Sequence, residues 1–93
     1  MFLAVDIGNT NITFGVYNNN TLIKIHKISS DKKISQIEYE NLIRNFSKNY
    51  KIKGCIIGSV VEELNILIKT ACDNILNLNS IYLQKIYFRN HCF

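Results

Sequence analysis

Proline is absent from this 93-residue chain, and glycine occurs only four times. With so little of either, no flexible linker, collagen-like period or disordered tail is expected. Cysteine is scarce and odd in number: Cys55, Cys72 and Cys92 are the three present, without CxxC spacing. Neither a disulfide framework nor a zinc site follows from them. Cys55 lies in an apolar run and Cys72 on an apolar helical face, so both read as small buried hydrophobes. The N-terminus lacks a basic region followed by a long apolar stretch, and no segment approaches about 18 apolar residues. No membrane contact is expected, and the expected location is cytoplasmic.

What is present is the composition of one small globular domain, with 47% hydrophobic and 19% charged residues. A chain of this size hides only about 60–65% of the surface its unfolded form exposes, so its stability margin is thin. The net charge of +4 raises the question of nucleic acid. Yet the basic residues are scattered, from Lys24 and Lys27 through Lys32-Lys33 and Arg44 to Lys85 and Arg89, and no run exceeds two. Aromatic residues do not interleave with them in a stacking pattern, so no nucleic-acid surface is expected. A mild basic bias suits a protein that handles polyanionic nucleotides.

Phe2 to Val5 is a short apolar run closed by Asp6 and Gly8, the pattern of a buried strand. From Asn11 the sequence alternates. Ile12, Phe14 and Val16 share one face, and Thr13, Gly15 and Tyr17 share the other. Asn18-Asn19-Asn20 then supplies a turn, because Asn tolerates left-handed backbone angles. Thr21 to Ser29 forms a third strand, completing an antiparallel meander. Ser35-Gln36-Ile37-Glu38 is a capping box, and behind it Tyr39, Leu42, Ile43, Phe46 and Tyr50 recur with helical period. Cys55 to Gly58 reads as a short buried strand. A second capping box is expected at Ser59-Val60-Val61-Glu62, opening a helix with Leu64, Leu67, Ile68, Ala71, Cys72 and Ile75 on its apolar face. Ile81 to Leu83 opens another strand. The order β-β-β-α-β-α-β, a meander followed by strand–helix–strand crossovers, is the layout of a ribonuclease-H-like α/β domain.

The informative segment is Asp6-Ile7-Gly8-Asn9-Thr10-Asn11-Ile12-Thr13. A carboxylate at the end of the first strand can hold Mg²⁺ through water, since Mg²⁺ gives up its hydration shell reluctantly. Gly8 lets backbone approach a phosphate closely, and successive N–H groups from Gly8 to Asn11 can turn inward as an anion-binding concavity. The Thr10 hydroxyl and the Asn9 and Asn11 amides add neutral donors. Phosphoryl transfer depends mainly on positioning and charge neutralisation, which such a hairpin can provide. The plainer alternative is a hairpin turn and nothing more, since Gly and Asn are the usual residues there.

The opening Met-Phe-Leu-Ala-Val-Asp-Ile-Gly-Asn-Thr-Asn-Ile-Thr-Phe-Gly-Val-Tyr resembles that of the type III pantothenate kinases. Ile28-Ser29-Ser30-Asp31 with Glu38-Tyr39 is similar to the family's Ser-Thr-Asp segment and the Asp-Glu-Tyr helix start. Ile56-Ile57-Gly58-Ser59-Val60-Val61 resembles its Ser-Ser-Val-Val segment. The resemblance covers about residues 1 to 80. It implies the N-terminal lobe of an actin-like ATPase or sugar-kinase fold and ATP-dependent phosphorylation of pantothenate, the first step of coenzyme A synthesis. It also implies Mg²⁺, a monovalent cation (K⁺ or NH₄⁺) and a homodimer. On this resemblance Asp6, Ile7, Gly8, Asn9, Thr10, Asn11, Ile12 and Thr13 bind ATP phosphates and Asp6 serves Mg²⁺. Ser59 corresponds to a family serine near the nucleotide and is also read as a helix N-cap. Asp31 and Glu38 are read as caps or solvated surface, and His26 is assigned no chemistry.

The sequence departs from the family in several places. Glu62 stands where the family has Pro, and His26-Lys27 where it has Trp-Arg. The family's Gly-x-Asp-Arg segment, which carries the general base and pantothenate contacts, and its later Asp-x-Gly-Thr segment do not occur, so no catalytic residue is assigned. Residues 1–83 are expected to form the nucleotide-binding lobe and 84–93 a divergent tail from truncation or frameshift. A lone lobe is expected to leave an apolar interface exposed and to lack turnover. The alternative function is a non-catalytic nucleotide-binding or regulatory module.

Overall fold

The computed structural model describes residues 1–30 and 33–84. Strands β1 (Phe2–Ile7), β2 (Asn11–Asn18) and β3 (Thr21–Ser29) precede helix α1 (Gln36–Ser47). Strand β4 (Gly54–Ser59), helix α2 (Glu62–Leu76) and strand β5 (Ile81–Gln84) follow, the order expected from the sequence. The tail expected at 84–93 lies outside the described residues except for Gln84, which is the last residue of β5. Cys92 and Asp31 also lie outside them.

β1 runs two residues beyond the expected Val5, because β2 turns straight back and pairs Asp6 with Thr13 and Ile7 with Ile12. At the next turn only Asn19 takes the left-handed conformation, with φ 57°. β3 then pairs antiparallel with β2, and the register shifts between Val16 and Tyr17. The chain next crosses to the far side of β1, where β4 lies parallel to β1 and β5 parallel to β4. The resulting sheet order is β3-β2-β1-β4-β5. β1, β3, β4 and β5 therefore run the same way, and their C-terminal ends share one edge of the sheet.

Side chains alternate across the sheet as period two requires. Leu3, Val5, Ile7, Ile12, Phe14, Val16, Cys55 and Ile57 point to one face and are buried there against Tyr39, Ile43 and Phe46 of α1 and Leu64, Ile68, Ala71 and Cys72 of α2. The other face carries Phe2, Leu22, Ile25, Ile56, Ile81 and Leu83, all exposed among the described residues. A hydrogen bond from the protonated Cys72 thiol to the Cys55 sulfur, together with burial, pushes the Cys72 pKa far above its ordinary range. Cys55 and Cys72 are both free and buried, and the protonated Cys72 thiol is no nucleophile.

The first capping box forms as read: the Ser35 hydroxyl accepts from the Glu38 N–H at 3.2 Å, and a Glu38 carboxylate oxygen accepts from the Ser35 N–H at 3.2 Å. The second does not form. α2 begins at Glu62 with Val61 as its cap residue, and no side chain caps it. Ser59 instead remains in β4, paired with Ile7, and its hydroxyl accepts from the Val61 N–H at 3.0 Å. The strand continues through Ser59 because β1 extends to Ile7 beside it, which moves the helix start two residues along. Tyr50 likewise lies beyond the end of α1, which stops at Ser47. At the other end of α2, Asn77 (φ 54°) forms a left-handed C-cap whose N–H donates to the Asp73 carbonyl.

Candidate functional site

The β1–β2 turn sits at the sheet edge where the C-terminal ends of β1, β3, β4 and β5 collect, the place where open α/β sheets usually receive ligands. Its backbone is tied on both sides. The Gly8 N–H donates to the Asn11 carbonyl at 2.9 Å, closing the turn, and the Val60 N–H donates to the Ile7 carbonyl at 3.0 Å from the end of β4. From the end of β3, the Ser30 N–H donates to the Thr10 carbonyl at 3.0 Å and the Ser30 hydroxyl donates to the Gly8 carbonyl at 2.6 Å. The carbonyls of Ile7, Gly8, Thr10 and Asn11 are thus all engaged. None of the backbone hydrogen bonds around the turn uses the N–H of Asn9 or Thr10 as donor. Both residues are exposed, and so is Asn11.

Gly8 sits in a tight space. A Cβ there would lie 3.1 Å from the Asn11 carbonyl oxygen, tighter than ordinary van der Waals contact. Asp6 and Thr13 are cross-strand partners on the face away from the helices. They line a shallow groove of about 160 Å³ with Ala4, Gly15, Tyr17, Leu22 and Ile25. A Cβ at Gly15 would crowd that groove, standing 3.2 Å from Tyr17 Cε1 and 3.3 Å from Leu22 Cδ1. Asp6 is half-buried at the end of the groove nearest the turn.

Of the eight residues expected in the site, Asp6, Asn9, Thr10, Asn11 and Thr13 present side chains or free backbone to this edge or to the groove beside it, while both backbone groups of Gly8 are engaged. Ile7 and Ile12 are fully buried among the helices, so they can contribute only main chain. Ser59 ends β4 beside Ile7 and so lies next to the turn. Glu38 is confined to its capping box, and His26 packs at 6.0 Å from the Phe46 ring, away from the turn. Ser30 was not singled out as a site residue, although the Ser29-Ser30-Asp31 resemblance marked its segment. Its role rests on a contact across 22 positions of sequence, which no local pattern reveals.

Among the described residues, no three His, Cys, Asp or Glu side chains gather to hold a metal ion. A single half-buried carboxylate beside free N–H groups nonetheless suits a hydrated Mg²⁺, which takes most of its ligands from water and phosphate. No helix among the described residues is long and apolar enough to cross a membrane.

The sequence pattern of the type III pantothenate kinases matches residues 2–91. The chain belongs to the type III pantothenate kinase family. The type III pantothenate kinase of Desulforapulum autotrophicum is 32% identical over 95 aligned positions, which cover 97% of this chain and 36% of that protein. The chain spans about a third of the length of the curated relatives it matches. Among solved structures, a ROK hexokinase from Thermus thermophilus superposes with a TM-score of 0.65 at 12% identity, covering 90% of this chain and 35% of that one. RuvC from T. thermophilus, solved with a Holliday junction, superposes with a TM-score of 0.66 at 7% identity, covering 97% and 69%. At these identities the likeness is one of fold, and the fold serves unrelated chemistries. The expected ribonuclease-H-like lobe of the actin-like ATPase and sugar-kinase kind is thereby borne out. For this pantothenate kinase family member, function has to be argued from the turn.

Proposed function

We propose that the chain supplies the ATP-binding side of pantothenate phosphorylation, with the β1–β2 turn receiving the nucleotide phosphates. The observation that carries this reading is the division of polar groups at the turn: four carbonyls accept hydrogen bonds while the Asn9 and Thr10 N–H groups remain available. Engaged carbonyls repel an anion less than free ones, and unpaired N–H groups attract it. Asn9 and Asn11 side-chain amides and the Thr10 and Thr13 hydroxyls add donors, Ile7 and Ile12 contribute backbone, and Ser59 stands beside the turn. Asp6 is the group that would hold Mg²⁺ through water, and a cation there would neutralise phosphate charge. Pantothenate, the monovalent cation (K⁺ or NH₄⁺), the homodimer and a cytoplasmic setting come with the family role.

Titration of the chain with Mg-ATP, wild type against Asp6→Ala, tests the assignment. Binding by the wild type that weakens at least about tenfold in the variant supports it. Equal affinities, or no wild-type binding at several millimolar Mg-ATP, would overturn it. The chain alone is expected not to phosphorylate pantothenate, because the segments that the family uses for the general base and acceptor are not among its residues. Sustained turnover in a contamination-checked sample would contradict this.

A second reading is a non-catalytic nucleotide-binding or regulatory module, since the turn could bind phosphate without the acceptor chemistry. Mixing the chain with a polypeptide carrying the Gly-x-Asp-Arg and Asp-x-Gly-Thr segments separates the two. Turnover on mixing supports the kinase reading, and binding without turnover supports the module.

A further inference from the structure

We infer that Ser30 is a positioning residue for the phosphate turn, an inference that rests on the reading of the turn as the ATP site. Ser30 touches the turn twice through different groups. Its N–H donates to the Thr10 carbonyl at 3.0 Å, and its hydroxyl donates to the Gly8 carbonyl at 2.6 Å. These two carbonyls flank the exposed Asn9, so the end of β3 holds the turn on either side of it. The remaining ties, Gly8 to Asn11 and Val60 to Ile7, involve backbone groups alone. The Ser30 hydroxyl is the one side-chain donor recorded on a carbonyl between Ile7 and Asn11 among the described residues.

The physical consequence is electrostatic as well as geometric. A carbonyl oxygen left free at the rim of an anion site points a negative dipole at the ligand. Engaged by a hydroxyl, its dipole is held toward β3 and partly compensated. Fixing the Gly8 peptide also fixes the N–H of Asn9, since both belong to one planar unit. Ser30 therefore orients the Asn9 donor that the phosphate would meet, and it does so without touching the ligand. Replacement by alanine removes the hydroxyl bond and leaves the backbone bond to Thr10, so β3 stays anchored and the variant retains its fold.

The test compares wild type, Ser30→Ala and Ser30→Thr by two readouts. One is amide hydrogen exchange at Gly8 without nucleotide, and the other is Mg-ATP affinity by calorimetric titration. The expected result for Ser30→Ala is Gly8 exchange about tenfold faster and an affinity about tenfold lower, equivalent to about 1.4 kcal/mol. Thr keeps the hydroxyl and is expected to restore both, while the thermal midpoint moves little in either variant. Unchanged Gly8 exchange in Ser30→Ala would overturn the latch. Faster exchange with unchanged ATP affinity would overturn the positioning role. Failure of the wild type to bind Mg-ATP would remove the ATP site and the positioning role with it, and is recognised because it appears without any mutation.

Discussion

The Asp73 carboxylate accepts both the N–H of Ser80 at 2.8 Å and its hydroxyl at 2.7 Å, with Oδ1 shared between them. Asp73 lies in the last turn of α2 and Ser80 immediately before β5, so the pair sets how the chain leaves the helix and enters the edge strand. Lys69 completes the cluster, its Nζ donating to Asp73 Oδ2 at 2.9 Å and to the Ser80 carbonyl at 2.7 Å. Partial burial raises the Asp73 pKa, but the Ser80 hydrogen bonds and Lys69 together outweigh it and hold the carboxyl below its usual 3.8.

Asp73→Ala should destabilise the chain by about 1–3 kcal/mol, the usual cost of losing charge-assisted hydrogen bonds. Because the folded-state pKa is depressed, the stabilisation is present above the ordinary carboxyl value of 3.8 and is lost as pH falls through the lower folded value. Urea unfolding of wild type and variant should differ most at neutral pH and converge below pH 3.8. A gap that widens on acidification would contradict the assignment.

Gly8→Ala places a Cβ 3.1 Å from the Asn11 carbonyl oxygen, which is also the acceptor for the Gly8 N–H. Overpacking of this kind costs about 1–3 kcal/mol. The expected outcome is a modest drop in thermal midpoint and a disproportionate loss of Mg-ATP affinity, read by titration. Wild-type affinity in the variant would show that the turn can relax without losing its donors.

Phe14→Ala should leave the chain only marginally stable. Phe14 is completely buried, with its ring centroid 6.1 Å from that of Phe46, so it joins β2 to α1. Removing such a ring costs about 3–5 kcal/mol. A domain of this size sits near the low end of the common range of about 5–15 kcal/mol. Far-UV circular dichroism and a urea midpoint check the outcome.

Ser35→Ala and Glu38→Ala should each cost about 0.5–2 kcal/mol, the range for losing an N-cap. Their effects should be non-additive, since each removes a partner of the same reciprocal pair. A double-mutant cycle on urea unfolding measures the coupling. Simple additivity would mean that the two bonds act independently.

Local chemistry made much of this architecture legible. Alternation in Ile12 to Tyr17 assigned the faces of β2, the Asn18-Asn19-Asn20 run marked the first left-handed turn, and Ser35 with Glu38 started α1. At Ser59 local pattern and fold diverge. Ser59-Val60-Val61-Glu62 has the spacing of a capping box, but Ser59 is held in β4 by its pairing with Ile7, and strand pairing outcompeted the cap. Asn77 shows the converse, a helix stop made by Asn and not Gly. The candidate site divides the same way: Asp6-Ile7-Gly8-Asn9-Thr10 stood out as a motif, whereas Ser30 did not.

The sequence by itself determined which residues alternate, where the chain turns, and that a carboxylate, a glycine and three neutral donors fall together between two strands. Those are properties of neighbours along the chain, governed by side-chain periodicity and local hydrogen bonding. Only the tertiary structure decided that β4 inserts beside β1, so that the ends of β1, β3 and β4 meet at one edge. It likewise decided that Ser30 and Val60 occupy the turn's carbonyls and leave its N–H groups of Asn9 and Thr10 available. Those bonds join residues far apart in the chain, and they form only because burial of the apolar strand faces against two helices fixes the sheet order.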